Sequence, residues 1–126
     1  MTIEHIGLAA DDPGVLAAWY VRCLGFREFF RTEAEPPVLF LEDGSGARLE
    51  IFPRKAGEAR PGPEERLWIH LALEVADFEA ASRELEGRGV EFLGPPKDVF
   101  AGGRVRFFAD PEGNRLHIVH RPTSPW

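Results

Sequence analysis

Leu67-Trp68-Ile69-His70-Leu71-Ala72-Leu73-Glu74-Val75-Ala76-Asp77 reads as a β-strand running into a helix cap. Side chains alternate across a strand, so Leu67, Ile69, Leu71, Leu73 and Val75 form one apolar row suited to a covering helix. Trp68, His70, Ala72 and Glu74 take the opposite face. Asp77 then supplies a capping carboxylate for a helix that carries Phe78, Ala81 and Leu85 on one side and ends at Gly87 and Gly89.

The same plan occurs near the start of the chain. A strand over residues 2–9 contains His5-Ile6-Gly7-Leu8, and Asp11-Asp12-Pro13 follows it with a capping carboxylate and a proline for the first helical turn. Leu16, Trp19, Tyr20 and Cys23 recur at helical spacing, and Gly25 sits where a left-handed C-cap belongs. Strands are then expected over residues 26–32, 38–42 and 48–52, the last two joined by the hairpin signal Asp43-Gly44-Ser45-Gly46. After the second helix, strands are expected over residues 90–93, over 99–108 with a break at Gly102-Gly103, and over 116–119. Asp110-Pro111-Glu112-Gly113-Asn114 forms the turn before the last of these, and the tail after Pro122 reads as irregular.

The chain is therefore a tandem repeat. His5 matches His70, Gly25 matches Gly89 and Glu50 matches His117, at offsets of 64 to 67 residues. The expected organisation is a first module over residues 1–53, a Pro-, Gly- and charge-rich linker over 54–66, and a second module over 67–126, together one compact domain.

Composition bounds the function. A chain of 126 residues that is 44% hydrophobic, with 10 Phe and 3 Trp, has the material for a core. A net charge of −6 argues against a broad nucleic-acid footprint, which needs a basic face. No apolar run reaches the roughly 18 residues of a membrane-spanning helix, and the first residues lack the features of a signal peptide. The lone Cys23 has no partner for an internal disulfide. The expectation is a cytoplasmic protein that binds neither nucleic acid nor membrane.

Strand parity singles out four polar residues. His5, Glu50, His70 and His117 all fall on the face opposite the helix-packing rows, at matching positions of the first and last strands of each repeat. A two-fold relation between the repeats would gather them at one centre, where three imidazoles and a carboxylate suit a divalent transition metal: Zn, Ni, Co, Fe or Mn, with Ca and Mg disfavoured. Taken singly, a histidine on a strand is more often a half-buried residue with a satisfied hydrogen bond, and a glutamate more often a surface charge. It is the joint pattern that points to metal. His120 has the wrong parity and reads as structural or solvent-facing, and Cys23 as core. Arg48, Arg104, Arg106 and Arg115 read as exposed charge or as holders of an anionic substrate.

The chain resembles the vicinal oxygen chelate superfamily, which includes glyoxalase I (lactoylglutathione lyase), bleomycin-resistance proteins, extradiol dioxygenases, methylmalonyl-CoA epimerase and fosfomycin-modifying enzymes. The likeness is carried by His5-Ile6-Gly7-Leu8 and its helix, Leu24-Gly25-Phe26, Leu49-Glu50-Ile51, residues 70–77, and Phe107-Phe108-Ala109-Asp110-Pro111-Glu112-Gly113-Asn114-Arg115-Leu116-His117. It covers nearly the whole chain. The resemblance implies an α+β fold of two tandem βαβββ modules, forming a curved mixed sheet around a metal and substrate cavity and commonly completed as a homodimer. It also implies that His5, Glu50 and His70 match three ligand positions of the glyoxalase I pattern. The fourth, Glu in that pattern, is His117 here, which leaves Glu50 as the catalytic base.

Three functions follow as expectations. The first is a metal-dependent lyase or isomerase of glyoxalase type, which chelates vicinal oxygens of a small substrate and stabilises an enediolate. The second is a small-molecule binding protein of bleomycin-resistance type, to which the aromatic side chains and net acidity would lend themselves. The third is an Fe-dependent, dioxygenase-like enzyme with a nonstandard ligand shell.

Overall fold

A computed structural model describes residues 1–60, 69–124 and 126 of the chain. Two compact units emerge, Met1–Arg60 and Pro61–Trp126. Each is a four-stranded mixed sheet with one helix, so the chain is α+β and modular, as the repeat predicts.

In the first unit, β1 (Ile6–Ala10) leads into α1 (Pro13–Leu24), followed by β2 (Arg27–Arg31), β3 (Leu39–Glu42) and β4 (Arg48–Pro53). The sheet order is β1-β4-β3-β2, with β1 parallel to β4 and the other pairs antiparallel. The helix begins where the capping chemistry says it must. Asp12 is extended and its side chain accepts from the Val15 N–H at 3.0 Å, while Pro13 occupies the first turn, where it has no helical N–H bond to lose. Gly25 ends the helix at φ 75°, and the Phe26 N–H reaches back to the Tyr20 carbonyl at 3.3 Å. Leu16, Ala17, Tyr20 and Cys23 on the buried side of α1, and Leu39, Leu41 and Ile51 on β3 and β4, are all inaccessible to solvent.

In the second unit, β5 (Leu71–Glu74) leads into α2 (Phe78–Gly87), followed by β6 (Lys97–Val99), β7 (Gly103–Ala109) and β8 (Arg115–His120). The order β5-β8-β7-β6 repeats the first unit's topology, with β5 parallel to β8. Asp77 caps α2 by accepting from the Ala80 N–H at 2.9 Å. Phe78, Leu85, Val105, Phe108, Leu116 and Ile118 form the core.

The structure corrects several boundaries. The strand expected over residues 90–93 is an isolated bridge between Phe92 and Phe108, and the β7 edge is instead paired by β6. Val90 is buried because it latches the end of α2, its N–H bonded to the Leu85 carbonyl at 2.9 Å. Ile69, expected in the apolar row, is exposed ahead of β5, while Leu67 and Trp68 lie outside the described residues. Residues 61–66 of the expected linker lie outside them too. Its start is tied to the first unit: the Arg54 side chain donates to Asp11 at 2.8 Å and to the Ala9 carbonyl at 2.9 Å.

One local structure occurs in both units. Before β8, Asp110 Oδ1 accepts from the backbone N–H groups of Glu112 and Asn114, both at 2.9 Å, and Gly113 turns the chain at φ 88°. Before β4, Asp43 Oδ1 accepts from the N–H groups of Ser45 and Ala47 at 2.8 and 3.1 Å. A carboxylate organises the tight loop in each case, two and four residues ahead of itself.

Candidate functional site

The parallel strand pair of each unit sets the positions of the candidate residues. In the first unit Gly7 on β1 stands opposite Glu50 on β4; in the second, Ala72 on β5 stands opposite His117 on β8. His5 and His70 each lie two residues before that point, just ahead of their strands. The two units thus present their candidate pairs in the same register.

In the first unit the pair is in contact: His5 Nε2 lies 3.2 Å from Glu50 Oε2. Gly7, opposite Glu50, leaves room for the Phe52 ring. A Cβ there would stand 3.1 Å from Phe52 Cε1 and 3.5 Å from Glu50 Oε2. The other His5 nitrogen, Nδ1, is hydrogen-bonded to Glu4 Oε2, and Arg48 Nη1 lies 3.3 Å from Glu4 Oε1. Phe40 meets the His5 ring edge-on at 5.5 Å, and Phe29 and Phe30 pack against Phe40 in turn. An irregularity in the β2–β3 pairing between Glu28 and Phe30 lets both rings reach it. The hydrogen bond to Glu4, reinforced by the charges of Glu4 and Glu50, raises the His5 pKa above its ordinary value.

The second unit's pair is drier. His117 is 6% exposed, its ring centroid 4.8 Å from that of His70 and stacked on Phe107 at 4.8 Å with an interplanar angle of 24°. Neither His117 nitrogen has a well-formed hydrogen-bond partner among the described residues. Burial, followed by the nearby His70, lowers the His117 pKa, so the ring is held neutral with an electron pair available. A buried imidazole normally finds a partner, so an orphaned one beside a second imidazole is a specific anomaly.

Among the described residues, no group of three or more His, Cys, Asp or Glu side chains forms a complete ligand cluster. The fold builds two pairs, His5 with Glu50 and His70 with His117. Their donor types, imidazole nitrogen and carboxylate oxygen, suit a borderline divalent ion, and the orphaned His117 nitrogens fit a ligand role. Outside the pairs, His120 bonds the Val75 carbonyl at 3.1 Å and is structural. Cys23 is buried in the first core. Arg104 is paired with Glu79 and Asp98, and Arg106 with Glu86. Glu4 and Phe107, which hold His5 and His117, escape the parity argument because it asks which residues share the ligand face and not what braces them. Adjacency to His5 in the chain was the signal for Glu4.

The model of the Glyoxalase/Bleomycin resistance protein/Dioxygenase superfamily matches residues 2–118. The chain belongs to this superfamily. Members of the superfamily bind small molecules and commonly use divalent metals. Within it, the chain is 31% identical over 124 residues to the uncharacterized protein YwkD of Bacillus subtilis, covering 95% of this chain and 97% of that one. It is 34% identical over 95 residues to a 2-epi-5-epi-valiolone epimerase of Actinomyces sp., covering 69% of this chain and 52% of the epimerase. The crystal structure of the glyoxalase family protein from Enterococcus faecalis superposes with a TM-score of 0.78 at 30% identity, covering 94% of this chain and 96% of that one. No helix among the described residues is long and apolar enough to cross a membrane.

Proposed function

We propose that this superfamily member is a metal-dependent lyase or isomerase acting on a small substrate with vicinal oxygens, its ion held by His5, Glu50, His70 and His117. The supporting observation is the buried His117 ring beside His70, its nitrogens without a well-formed hydrogen bond among the described residues, in the register position that Glu50 occupies beside His5. When bound, the ion supplies Lewis-acid charge where negative charge develops on the substrate oxygens. The chain's own residues do the rest. Glu50, half-buried and beside His5, takes a proton from the hydroxyl-bearing carbon next to a carbonyl, leaving an enediolate, and returns it to the former carbonyl carbon while the hydroxyl proton passes to the other oxygen. The low-pKa His117 stays neutral and so does not repel an ion.

Elemental analysis of untagged protein is expected to find a stoichiometric divalent transition metal. In D2O, wild type should place deuterium in the product of a 2-oxoaldehyde thiohemiacetal or 2-hydroxyketone panel, and Glu50→Gln should lose at least about 100-fold in rate. Full activity in Glu50→Gln would remove its role as base. A second reading, a binding protein of bleomycin-resistance type, is favoured by the exposed Phe29 and Phe30 against Phe40. Ligand affinity that a chelator leaves unchanged would select it, and oxygen uptake with Fe(II) and catechols would select a dioxygenase. The same reading takes the protein as a cytoplasmic homodimer, which sedimentation of the purified chain and cell fractionation test.

A further inference from the structure

His5 carries one proton on two nitrogens when neutral, and two carboxylates compete for it. Glu4 Oε2 is hydrogen-bonded to Nδ1, while Glu50 Oε2 stands 3.2 Å from Nε2. The outcome decides whether Nε2, which faces the candidate ligand Glu50, is an electron-pair donor or an N–H. A nitrogen that carries a proton cannot bind a metal.

We infer that Glu4 is a positioning residue: it holds the His5 proton on Nδ1 and thereby keeps Nε2 free to donate, with Arg48 anchoring the Glu4 carboxylate. Two features carry this beyond the contact itself. Arg48 Nη1 reaches Glu4 Oε1 at 3.3 Å, leaving Oε2 for the imidazole, so the two oxygens have separate tasks. Arg48 also lies over the Phe29 ring at 5.5 Å, a second contact for the guanidinium. Arg48, Glu4 and His5 thus form a chain ending at Nε2. A carboxylate behind a histidine of this kind orients the ring and raises its basicity. In the second unit the residue before His70 is Ile69, so no carboxylate stands at the position that Glu4 takes before His5.

The inference rests on the metal reading for its purpose, but not for its test. Long-range proton–nitrogen NMR of the metal-free protein, at a pH where His5 is neutral, reads which nitrogen bears the proton. Wild type should show the Nδ1–H form. Glu4→Ala, which leaves Glu50 as the carboxylate facing the ring, should move the proton to Nε2. Glu4→Gln keeps a carbonyl acceptor and should restore much of the Nδ1–H form. Titration with Co(II) alone, followed by its absorption spectrum, should show a roughly 10- to 100-fold weaker affinity in Glu4→Ala and an intermediate one in Glu4→Gln. An unchanged tautomer in Glu4→Ala overturns the inference, whatever Co(II) does. A shifted tautomer in a protein whose wild type binds no Co(II) upholds Glu4's control of the proton and overturns the metal reading instead.

Discussion

The two units solve one geometric problem with opposite chemistry. Each places a histidine just ahead of its first strand and a second polar side chain on its last strand, two residues along in the same parallel register. In the first unit the pair is a half-exposed imidazole and carboxylate, with Glu4 and Arg48 braced behind His5. In the second the pair is two imidazoles, His117 is buried, and a stacked phenyl ring takes the place of a hydrogen-bonded brace. Duplication has thus kept the backbone address while the side chains delivered there have diverged. One half offers charge and the other offers a desolvated neutral base.

The comparison can be tested at several scales. The largest effects belong to the cores. Phe108→Ala in the second unit and Ile51→Ala in the first remove wholly buried side chains, and each should cost about 2–5 kcal/mol in urea denaturation. If one is nearly silent, that unit's core is not the rigid scaffold described.

Next comes the orphaned ring. His117→Leu removes a buried imidazole whose nitrogens lack a well-formed hydrogen bond among the described residues, so metal-free stability should rise by about 1 kcal/mol, while Co(II) affinity should fall at least about tenfold. A loss of stability with unchanged Co(II) binding would make His117 a packing residue and leave the second pair without a function.

The helix caps should behave alike. Asp12→Ala and Asp77→Ala each delete one side-chain bond to an orphan N–H, at 3.0 and 2.9 Å, and each should cost about 1 kcal/mol by thermal denaturation. Unequal losses would show that the repeats are less equivalent than their topology suggests.

The smallest effect is in pH, and its sign differs between the units. His5 has a raised pKa in the folded metal-free protein, so its contribution is full below the unfolded value near 6.5 and is lost as pH climbs through the folded value. His117 has a lowered pKa, so its contribution is full above about 6.5 and is lost as pH falls toward the folded value. Comparing urea midpoints across pH 5 to 8, His5→Gln should flatten the alkaline side of the profile and His117→Leu the acid side. Matching changes in both variants would contradict the assigned environments.

Much of this was legible in the sequence wherever the physics is local. Asp12, Pro13 and Gly25 mark α1 because capping and left-handed backbone act within a turn, and Asp77 does the same for α2. Parity placed Glu50 and His117 on one face because alternation is built into any strand. Pairing across the chain was harder. Lys97-Asp98-Val99 has no alternation to announce β6, and its strand character comes from the exposed β7 edge it meets. Val90 looked like a strand residue and is instead the hydrophobic latch of a helix end. The brace behind His5 depends on which of two carboxylates wins one proton, which no periodicity records.

The matched carboxylate loops before β4 and β8 have a consequence for how such proteins change. Asp43 and Asp110 each gather two backbone N–H groups from the following residues, and each stands seven positions ahead of the side chain its strand delivers, Glu50 or His117. Each loop that leads to the delivery point lies upstream, built from one carboxylate and the main-chain N–H groups it gathers. The delivered residue can be exchanged, acid for imidazole, without disturbing the apparatus that aims it, so a new reactivity can be installed by a single codon while the scaffold stays put.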